Sequence, residues 1–372
     1  MRPLDGLLVL DFSTLLPGPM ATLLLAEAGA EVIKIERPGT GEDMRGYAPA
    51  WGRDGVNFAM LNRGKKSIAL DLKNPYDLTS LEPLIKRADV LVEQFRPGVM
   101  KRLGIDYETV KRLNPKLVYC SITGYGQHGP KRDQAGHDLN YIGDSGMLGL
   151  SMGSSEQPVI PPALIADIAG GAYPSVMNIL LALEERRRTG EGRLLDIAMA
   201  DNLFPFLYWA MGSGMTTGQW PGNGTDLVTG GTPRYRLYPT KDQRMVAAAP
   251  IEQKFWEQFC TLIDLPMALR DDSIDPAATT QAIATIIAAQ DSGFWRARFQ
   301  GQDCCASIVA TMQEAMGDPH FKARGLFNHA LYNEHGDSIS ALPVPIDTGF
   351  RAEPDITLSS PQLAEHNKDY LS

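Results

Sequence analysis

The first 36 residues contain a strand, a helix and a second strand in close succession. Leu7–Phe12 is a short apolar run of the kind that forms a buried strand. Met20–Gly29 has the pattern of a helix that ends at a glycine, and Glu31–Glu36 reads as the second strand. Two neighbouring strands joined by a helical crossover run parallel to each other. The chain is therefore predicted to contain a parallel α/β sheet.

The same alternation continues through the next 90 residues. Further strands are predicted at Lys66–Leu72, Val90–Gln94 and Leu117–Ile122, with a helix over Asp77–Arg87. This is the pattern of a doubly wound, Rossmann-like sheet, which binds ligands in loops at the carboxyl ends of its strands. The turn Leu15–Pro19 has prolines where a dinucleotide fingerprint needs glycines, so a nicotinamide cofactor is disfavoured.

A second, smaller module is predicted in the last third of the 372 residues. Tyr235–Pro239 and Met245–Ala249 have the pattern of strands, and a helix follows over Glu252–Ile263. The segment Gly212–Gly231 is rich in Gly, Thr and Asn, which favours a connection between domains. The tail from Ser338 holds too few apolar residues for a core of its own, so it is expected to pack on an earlier domain.

Composition narrows the class of protein. A formal net charge of −9 makes a nucleic-acid partner unlikely as the main role. The four cysteines match neither a disulfide framework nor a zinc spacing, so we expect reduced thiols and a cytoplasmic location. No apolar run approaches the roughly 20 residues of a membrane span, and neither a membrane nor a signal peptide is expected.

His137 and Asp167 are the strongest candidates for chemistry. His137 follows Gly136, and Asp167 lies just before Gly170 and Gly171, both in predicted loops, where functional residues concentrate. A histidine side chain can give or take a proton near neutral pH, although most histidines are structural or solvated. Asp167 precedes a long apolar helix, so an N-cap is an equally good interpretation. The spacing of His137 with Asp138 and Asp144 matches no familiar metal site, and no metal is predicted.

A second carboxylate and a scattered set of cations complete the candidates. Glu252 begins the predicted helix of the small module, where it either interacts with the helix dipole or reaches His137 and orients its ring. The cations are solvated surface or together bind a phosphorylated ligand. They are Arg37, Arg63, Lys65, Lys66, Arg102, Lys131 and Arg132.

Several motifs distributed over nearly the whole chain resemble those of the family III CoA-transferase and α-methylacyl-CoA racemase superfamily. They are Leu15–Pro19, Val32–Pro38, Asn62–Ser67, Phe95–Val99, Thr123–Gln127 and Asp318–Pro319. In this superfamily the transferases use an aspartate, here Asp167, as a nucleophile. The racemases pair it with the histidine of a Gly-His-Asp-x-Asn-Tyr motif, intact here as Gly136–Tyr141, and carry an Ile-Glu-x-x-Phe motif, matched by Ile251–Phe255.

The resemblance therefore implies a racemase or epimerase of 2-methylacyl-CoA thioesters, with CoA transfer through Asp167 as the alternative. His137 and Asp167 would exchange the α-proton, with Glu252 assisting, and no cofactor beyond the CoA of the substrate would be needed. It also implies roles in binding that substrate. Arg37, Lys66 and Arg102 would bind the adenine and phosphates of CoA, and Leu61 would line the adenine site. The backbone N–H of Asp138 would face the thioester oxygen, with Tyr141 near the acyl group.

The family fold implied by the resemblance is a large α/β domain built from both chain ends plus a smaller α+β domain. Two chains would form an interlocked homodimer with acyl-CoA as the substrate. The segment Gly39–Asn62 is longer than in compact racemases, which is a feature of the transferases and leaves the choice of substrate open. The predicted division is a large domain over 1–198 and 330–372, linkers over 199–228 and 316–329, and a small domain over 229–315.

Overall fold

The chain forms two compact units in the computed structural model. Unit 1 contains Met1–Ser145, Ala163–Pro205 and Pro319–Ser372, and unit 2 contains Gly146–Pro162 and Phe206–Asp318. The described residues between 146 and 162 group with unit 2, whereas the sequence predicts them in the large domain. The predicted linker boundaries stay predictions. The structure describes residues 1–150, 153–154, 157–354, 356 and 358–371.

The regular elements of the described residues are as follows. The strands are β1 (Leu8–Asp11), β2 (Glu31–Glu36), β3 (Ala50–Trp51), β4 (Asp54–Gly55), β5 (Lys66–Ala69), β6 (Val90–Glu93), β7 (Val118–Thr123), β8 (Gly153–Ser154), β9 (Gln157–Pro158), β10 (Leu194–Ala198), β11 (Arg236–Pro239), β12 (Met245–Ala248), β13 (Ala306–Ile308), β14 (Ala330–Tyr332) and β15 (Ser338–Ser340). The helices are α1 (Pro17–Glu27), α2 (Val56–Asn62), α3 (Pro75–Arg87), α4 (Val99–Leu103), α5 (Tyr107–Leu113), α6 (Asp138–Asp144), α7 (Tyr173–Thr189), α8 (Tyr208–Thr217), α9 (Gln253–Leu262), α10 (Pro276–Ala288), α11 (Ser292–Phe299), α12 (Met312–Gly317), α13 (Pro319–Ala323) and α14 (Asn367–Tyr370).

Unit 1 is built on a six-stranded sheet with the order β10-β7-β6-β1-β2-β5. Every neighbouring pair is parallel, which confirms the predicted parallel α/β sheet. Leu10, Ile33, Ile68 and Leu91 are buried in its core. Because the strands are covered on both faces, their sequences are continuous apolar runs rather than alternating patterns.

Helix α1 begins at Pro17, earlier than the sequence predicts. Pro17 and Pro19 lie in its first turn, where a missing N–H costs no intrahelical hydrogen bond. The Gly18 N–H donates to Gln94 Oε1 at 3.0 Å, which ties this turn to the segment after β6. The prolines therefore start the helix directly after β1 instead of extending the turn.

The long segment after β2 is held by one buried arginine. The Arg45 guanidinium donates to Glu36 Oε1 at 2.7 Å and to Asp54 Oδ1 at 3.0 Å. It also lies 3.9 Å from the centre of the Phe58 ring. These contacts join β2, the β3–β4 hairpin and α2. The long segment is therefore held to the strand before it and the helix after it.

The C-terminal tail packs against the edge of the sheet in unit 1. The His366 N–H donates to the Ser67 carbonyl at 3.0 Å, and Asn367 Oδ1 accepts from the Ala69 N–H at 2.8 Å. Both bonds satisfy backbone groups on the outer side of β5, which is the last strand of this sheet within the described part of the chain.

Unit 2 contains the antiparallel sheet β11-β12-β13. Its core includes Tyr238, Val246, Trp256, Phe259 and Ile283, which come from β11, β12, α9 and α10. The strands β11 and β12 confirm the two strands predicted for this region, whereas β13 had no recognisable sequence pattern. The helix predicted from Glu252 begins at Gln253, so Glu252 is its N-cap residue.

Helix α7 follows directly from a single π-helical turn, Ala166–Ala172. Together they span 24 residues, which length and composition alone would allow to cross a membrane. The helix packs against β7, β10 and α1 of unit 1. Gly170 lies against the backbone of Met199, where a Cβ would stand 2.4 Å from the Met199 carbonyl oxygen. This close approach fixes the turn at the end of β10.

Candidate active site

A cavity of about 460 Å³ lies at the carboxyl end of the sheet in unit 1. Segments that follow β6 and β7 line it, together with the start of α6 and the turn before α7. His137, Tyr141 and Asp167 are all among its lining residues. The structure thus brings together the predicted histidine and aspartate although 29 residues separate them in sequence. The position is the one at which parallel α/β sheets bind ligands.

Asp167 lies within the first turn of its helix and not at the cap. Ile165 occupies the N-cap position, and its backbone is already helical. The interpretation of Asp167 as an N-cap is therefore wrong. The backbone N–H of Asp167 donates to Asp138 Oδ1 at 2.9 Å, so another element supplies the acceptor.

The surroundings of Asp167 disfavour its charge. Burial raises the pKa of the Asp167 carboxyl from 3.8 to about 7, and the nearby Asp138 carboxylate contributes to the same rise. A group with such a pKa is present in both protonation states near neutral pH. It can therefore act as an acid or as a base without a large free-energy cost.

His137 is exposed and is the N-cap residue of α6. Its backbone N–H donates to Asn140 Oδ1 at 3.0 Å, the reciprocal bond of a capping box. This bond fixes the loop at the point where His137 enters the cavity. The ring stays accessible to a ligand.

Tyr141 forms one wall of the cavity. Its hydroxyl donates to the Gly136 carbonyl at 2.6 Å, and its ring meets Tyr125 edge-on with the ring centres 5.2 Å apart. A Cβ on Gly124 would lie 2.4 Å from the Tyr141 ring, so glycine is required there. Burial raises the pKa of Tyr141 to about 12, with a smaller contribution from the charge of Asp167. The Tyr141 hydroxyl therefore stays protonated and uncharged near neutral pH.

Glu252 lies in unit 2 as the exposed N-cap residue of α9. Cys305 of the same unit is close enough for the Glu252 carboxylate to contribute to the raised pKa of that thiol. Glu252 is not among the residues that line the cavity of unit 1. Its predicted pairing with His137 stays a prediction.

The predicted CoA-binding cations occupy different places in unit 1. Arg37 follows the carboxyl end of β2, donates to Thr40 Oγ1 at 2.8 Å and forms an ion pair with Asp43. Lys66 begins β5 at the opposite, amino end of the sheet, where it pairs with Glu31 at 3.1 Å. The structure therefore does not bring Lys66 and Arg37 together.

Arg102 lies on α4, outside the cavity that holds Asp167. Atoms of Arg102 and Arg132 approach Gly98 together, at 3.6 and 3.7 Å from the position of a Cβ on that glycine. Arg132 does line the cavity, as does Arg96. Two guanidinium groups, those of Arg96 and Arg132, thus line this cavity, and guanidinium groups suit phosphate.

Arg63 and Lys65 do not belong to this group of accessible cations. Arg63 pairs with Glu27 at 2.7 Å, and Lys65 pairs with Asp11 at 3.1 Å. Both are buried, at 1% and 4% exposure. The prediction that they could contact a phosphorylated ligand is wrong, because their charges neutralise buried carboxylates of the scaffold.

A second cavity of about 470 Å³ lies beside Arg37. It is lined by apolar side chains that include Leu70, Leu72 and Phe95, and Phe95 also lines the cavity of Asp167. Leu61, predicted at the adenine site, is instead packed in the core at 5% exposure. Because Phe95 lines both of them, the two cavities are neighbours at the carboxyl end of the sheet.

Two features of the site had no sequence interpretation of their own. Arg96 lies within the motif Phe95–Val99, but nothing in its spacing indicated that it would face Tyr141 and Asp167 in one cavity. The sequence likewise predicts no role for the side chain of Asp138, only one for its backbone N–H. Its position in a Gly-flanked polar motif was the available signal, although the partner, 29 residues later, could not be read from it.

Comparison with known proteins shows the family to which this chain belongs. The family model for CoA-transferase family III matches residues 4–367. The chain is 33% identical to alpha-methylacyl-CoA racemase of Homo sapiens, over 99% of this chain and 92% of that protein. It is also 33% identical to succinate–glutarate CoA-transferase of Agrobacterium fabrum, over 100% of this chain and 95% of that protein. The crystal structure of a CAIB/BAIF family protein from Brucella suis has a TM-score of 0.84 at 28% identity and covers 99% of this chain and 98% of that one.

The chain is an α/β protein with a parallel sheet and with ionisable side chains in a cavity at the carboxyl end of that sheet. The chain belongs to CoA-transferase family III, and the resemblance drawn from its motifs is confirmed. Both a racemase and a transferase are similar to it at the same identity. Identity therefore does not choose between the two reactions.

Proposed function

We propose that this chain is a racemase or epimerase of 2-methylacyl-CoA thioesters. The observation that carries the proposal is that His137 and Asp167 line one cavity and that Asp167 has a pKa of about 7. Two groups of different type, each able to hold or release a proton, are what a 1,1-proton transfer requires. The intact Gly136–Tyr141 motif points to the same branch of the family.

The reaction begins with removal of the hydrogen on the carbon next to the thioester. One of the two groups takes this proton, and the electron pair of the C–H bond moves to the thioester oxygen to form an enolate. The other group then returns a proton to the opposite face of the carbon. His137 is the base for one enantiomer and Asp167 for the other, so each cycle leaves both residues in exchanged protonation states.

The enolate oxygen needs donors where its charge develops. The backbone N–H of Asp138 is one of the first N–H groups of α6, which have no acceptor within the helix. We assign it to the thioester oxygen. Each proton transfer contributes about 10²–10⁴-fold to the rate. The thioester itself acidifies the carbon, so neither a metal nor a redox cofactor is part of the proposal.

The CoA portion is proposed to lie along the carboxyl edge of the sheet. Its adenine would enter the apolar cavity beside Arg37, and its phosphates would lie near Arg96, Arg102 and Arg132. The reason is that the two cavities share Phe95 and that guanidinium groups suit phosphate. Lys66 lies at the amino end of the sheet and Leu61 is packed in the core, so both would act on this site only indirectly.

The test is incubation with a single enantiomer of a 2-methylacyl-CoA in deuterated water. We expect deuterium at the α-carbon together with loss of optical purity. His137→Ala should abolish the exchange while leaving CoA binding intact, and normal exchange by this variant would refute the proposal. His335→Ala serves as the matched control, because His335 is an exposed histidine of unit 1 that does not line this cavity.

CoA transfer between carboxylic acids is the second candidate, because a transferase is as similar to the chain as a racemase is. In that reaction the Asp167 carboxylate attacks the thioester carbonyl and expels the CoA thiolate, which leaves an anhydride between Asp167 and the acyl group. The thiolate then attacks the aspartyl carbonyl of the anhydride and forms an aspartyl-CoA thioester, and the acyl group leaves as the first carboxylate. Hydroxylamine would cleave such an intermediate, and its product at Asp167 would be identified by mass spectrometry. Trapping with two carboxylic acids present, and no α-deuterium, would establish this reaction instead.

We also propose that two copies of the chain form an interlocked homodimer. The outer face of α7 carries the exposed apolar residues Tyr173, Met177, Leu180 and Leu181, whose spacing places them on one side of the helix. A second copy would cover this face. Sedimentation should give a dimer for the wild type, and Leu181→Glu should weaken it; a wild-type monomer at micromolar concentration would exclude the dimer.

A further inference from the structure

The side chain of Asp138 connects the two segments that carry His137 and Asp167. Asp138 follows His137 directly as the first residue of α6, and it is buried at 5% exposure. Its Oδ1 accepts the backbone N–H of Asp167 at 2.9 Å. The backbone N–H groups of Ala166 and Ile165 also act on this carboxylate and lower its pKa, against the larger opposing effect of burial.

The helix that carries Asp167 lacks a cap of its own. Its N-cap residue, Ile165, has no side-chain acceptor, although the first N–H groups of any helix need one. Capping residues normally lie in the same segment and are Ser, Thr, Asp or Asn. Here the acceptor is a carboxylate from α6. Its negative charge is also favourable at the positive end of a helix.

The same carboxylate acts on the ionisation of its neighbour. Two negative charges held close together resist full ionisation of both groups, and the charge of Asp138 raises the pKa of Asp167 in addition to burial. The other ionisable side chains that line the cavity are Arg96, Tyr125, Arg132, His137 and Tyr141. Among charged groups, it is Asp138 that acts on the pKa of Asp167 in addition to burial.

We propose that Asp138 is a positioning residue whose carboxylate, by accepting the backbone N–H of Asp167, ties the turn of Asp167 to the loop of His137. The charge of the same carboxylate bears on the ionisation of Asp167 and is the second part of this task. The inference rests on the proposed function for the roles of those two residues. It assigns the side chain of Asp138 a task separate from that of its backbone N–H, which would face the substrate.

Two substitutions separate the two parts of this task. Asp138→Asn keeps an oxygen that can accept the Asp167 N–H but removes the charge, whereas Asp138→Ala removes both. Asp369→Asn is the matched control, because Asp369 is an exposed aspartate of the same unit. All three leave the backbone N–H of residue 138 in place.

The first measurement is the titration of the Asp167 carboxyl by carbon NMR, assigned by its loss in Asp167→Asn. In Asp138→Asn we expect the midpoint to fall by about one pH unit, since an adjacent charge has been removed. The second is amide hydrogen exchange over residues 164–170. It should be at least about tenfold faster in Asp138→Ala, because loss of the cap frays the turn, and nearly unchanged in Asp138→Asn. Asp369→Asn should match the wild type in both.

The catalytic readout is α-deuterium exchange as a function of pH. Asp138→Asn should retain turnover with its acidic limb displaced to lower pH, and Asp138→Ala should lose about 100-fold, as expected for a displaced acid–base group. An unchanged Asp167 midpoint in Asp138→Asn, with unchanged amide protection in Asp138→Ala, would overturn the proposal. Should Asp138→Ala not fold, the Asp138→Asn titration decides alone. The NMR and exchange measurements use no substrate, so a wild type without α-proton exchange would refute only the proposed function.

Discussion

Asp167 is held in surroundings that oppose its charge, so replacing it with asparagine should stabilise the folded chain at higher pH. The pKa of this carboxyl is raised from 3.8 to about 7, first by burial and then by the charge of Asp138. Between these two values the folded state binds more protons than the unfolded state does. Stability therefore falls as pH rises through this window. The complete change corresponds to about 4 kcal/mol, at about 1.36 kcal/mol for each pH unit.

Urea unfolding of the wild type and Asp167→Asn at about pH 5 and about pH 8 tests this reasoning. The free energy of unfolding gained by the variant should be larger at pH 8 by up to about 2–3 kcal/mol, since the wild-type carboxyl is mostly neutral at pH 5 and ionised at pH 8. Asp369→Asn, at an exposed site, should show no such difference. An equal gain at both pH values would mean that burial does not hold back the ionisation of Asp167, and the acid–base argument would lose its physical basis.

Three further predictions concern the scaffold and the ligand. Lys65→Met should lower the free energy of unfolding by about 3–5 kcal/mol, because it leaves the buried Asp11 carboxylate without the cation that it pairs with. Urea unfolding measures this loss of stability, and a loss below about 1 kcal/mol would contradict the prediction. Gly124→Ala should lower kcat/KM at least about tenfold, because the new methyl group displaces the Tyr141 ring; a wild-type value would contradict this. Arg37→Met should weaken CoA binding about tenfold in calorimetry. Lys66→Met should weaken it less than about twofold, because Lys66 lies at the amino end of the sheet, where it pairs with Glu31. The reverse order would refute the proposed path of CoA.

The parallel sheet could be predicted from sequence because its strands are continuous apolar runs. Strand β2 has the predicted bounds, Glu31–Glu36, and β6 and β7 begin or end within a residue of theirs. Such strands are buried on both faces, so each carries its signal locally. Strand β13, Ala306–Ile308, has only three residues and no such run, and it is defined by its pairing with β12. A pairing of that kind is a property of the fold and not of the segment.

The candidate site was predictable only in part, again because contacts between distant segments cannot be read from any one of them. His137 and Asp167 were identified as chemical groups next to loops, and the fold brings both to one cavity. Their surroundings depend on distant partners. Lys65 looks like any surface lysine until Asp11, 54 residues earlier, is placed beside it. Asp138 likewise gains its role from the Asp167 backbone, which no local pattern contains.

The pKa of Asp167 bears on the choice between the two reactions. A nucleophile must be ionised to attack, so CoA transfer through Asp167 should depend on one ionisation and level off above about pH 7. Proton exchange by two groups needs one of them protonated and the other not, in either direction. The pair then holds a single proton, and kcat/KM falls on both sides of an optimum. The two reactions therefore predict different pH profiles, and the shape of kcat/KM against pH distinguishes proton exchange from CoA transfer.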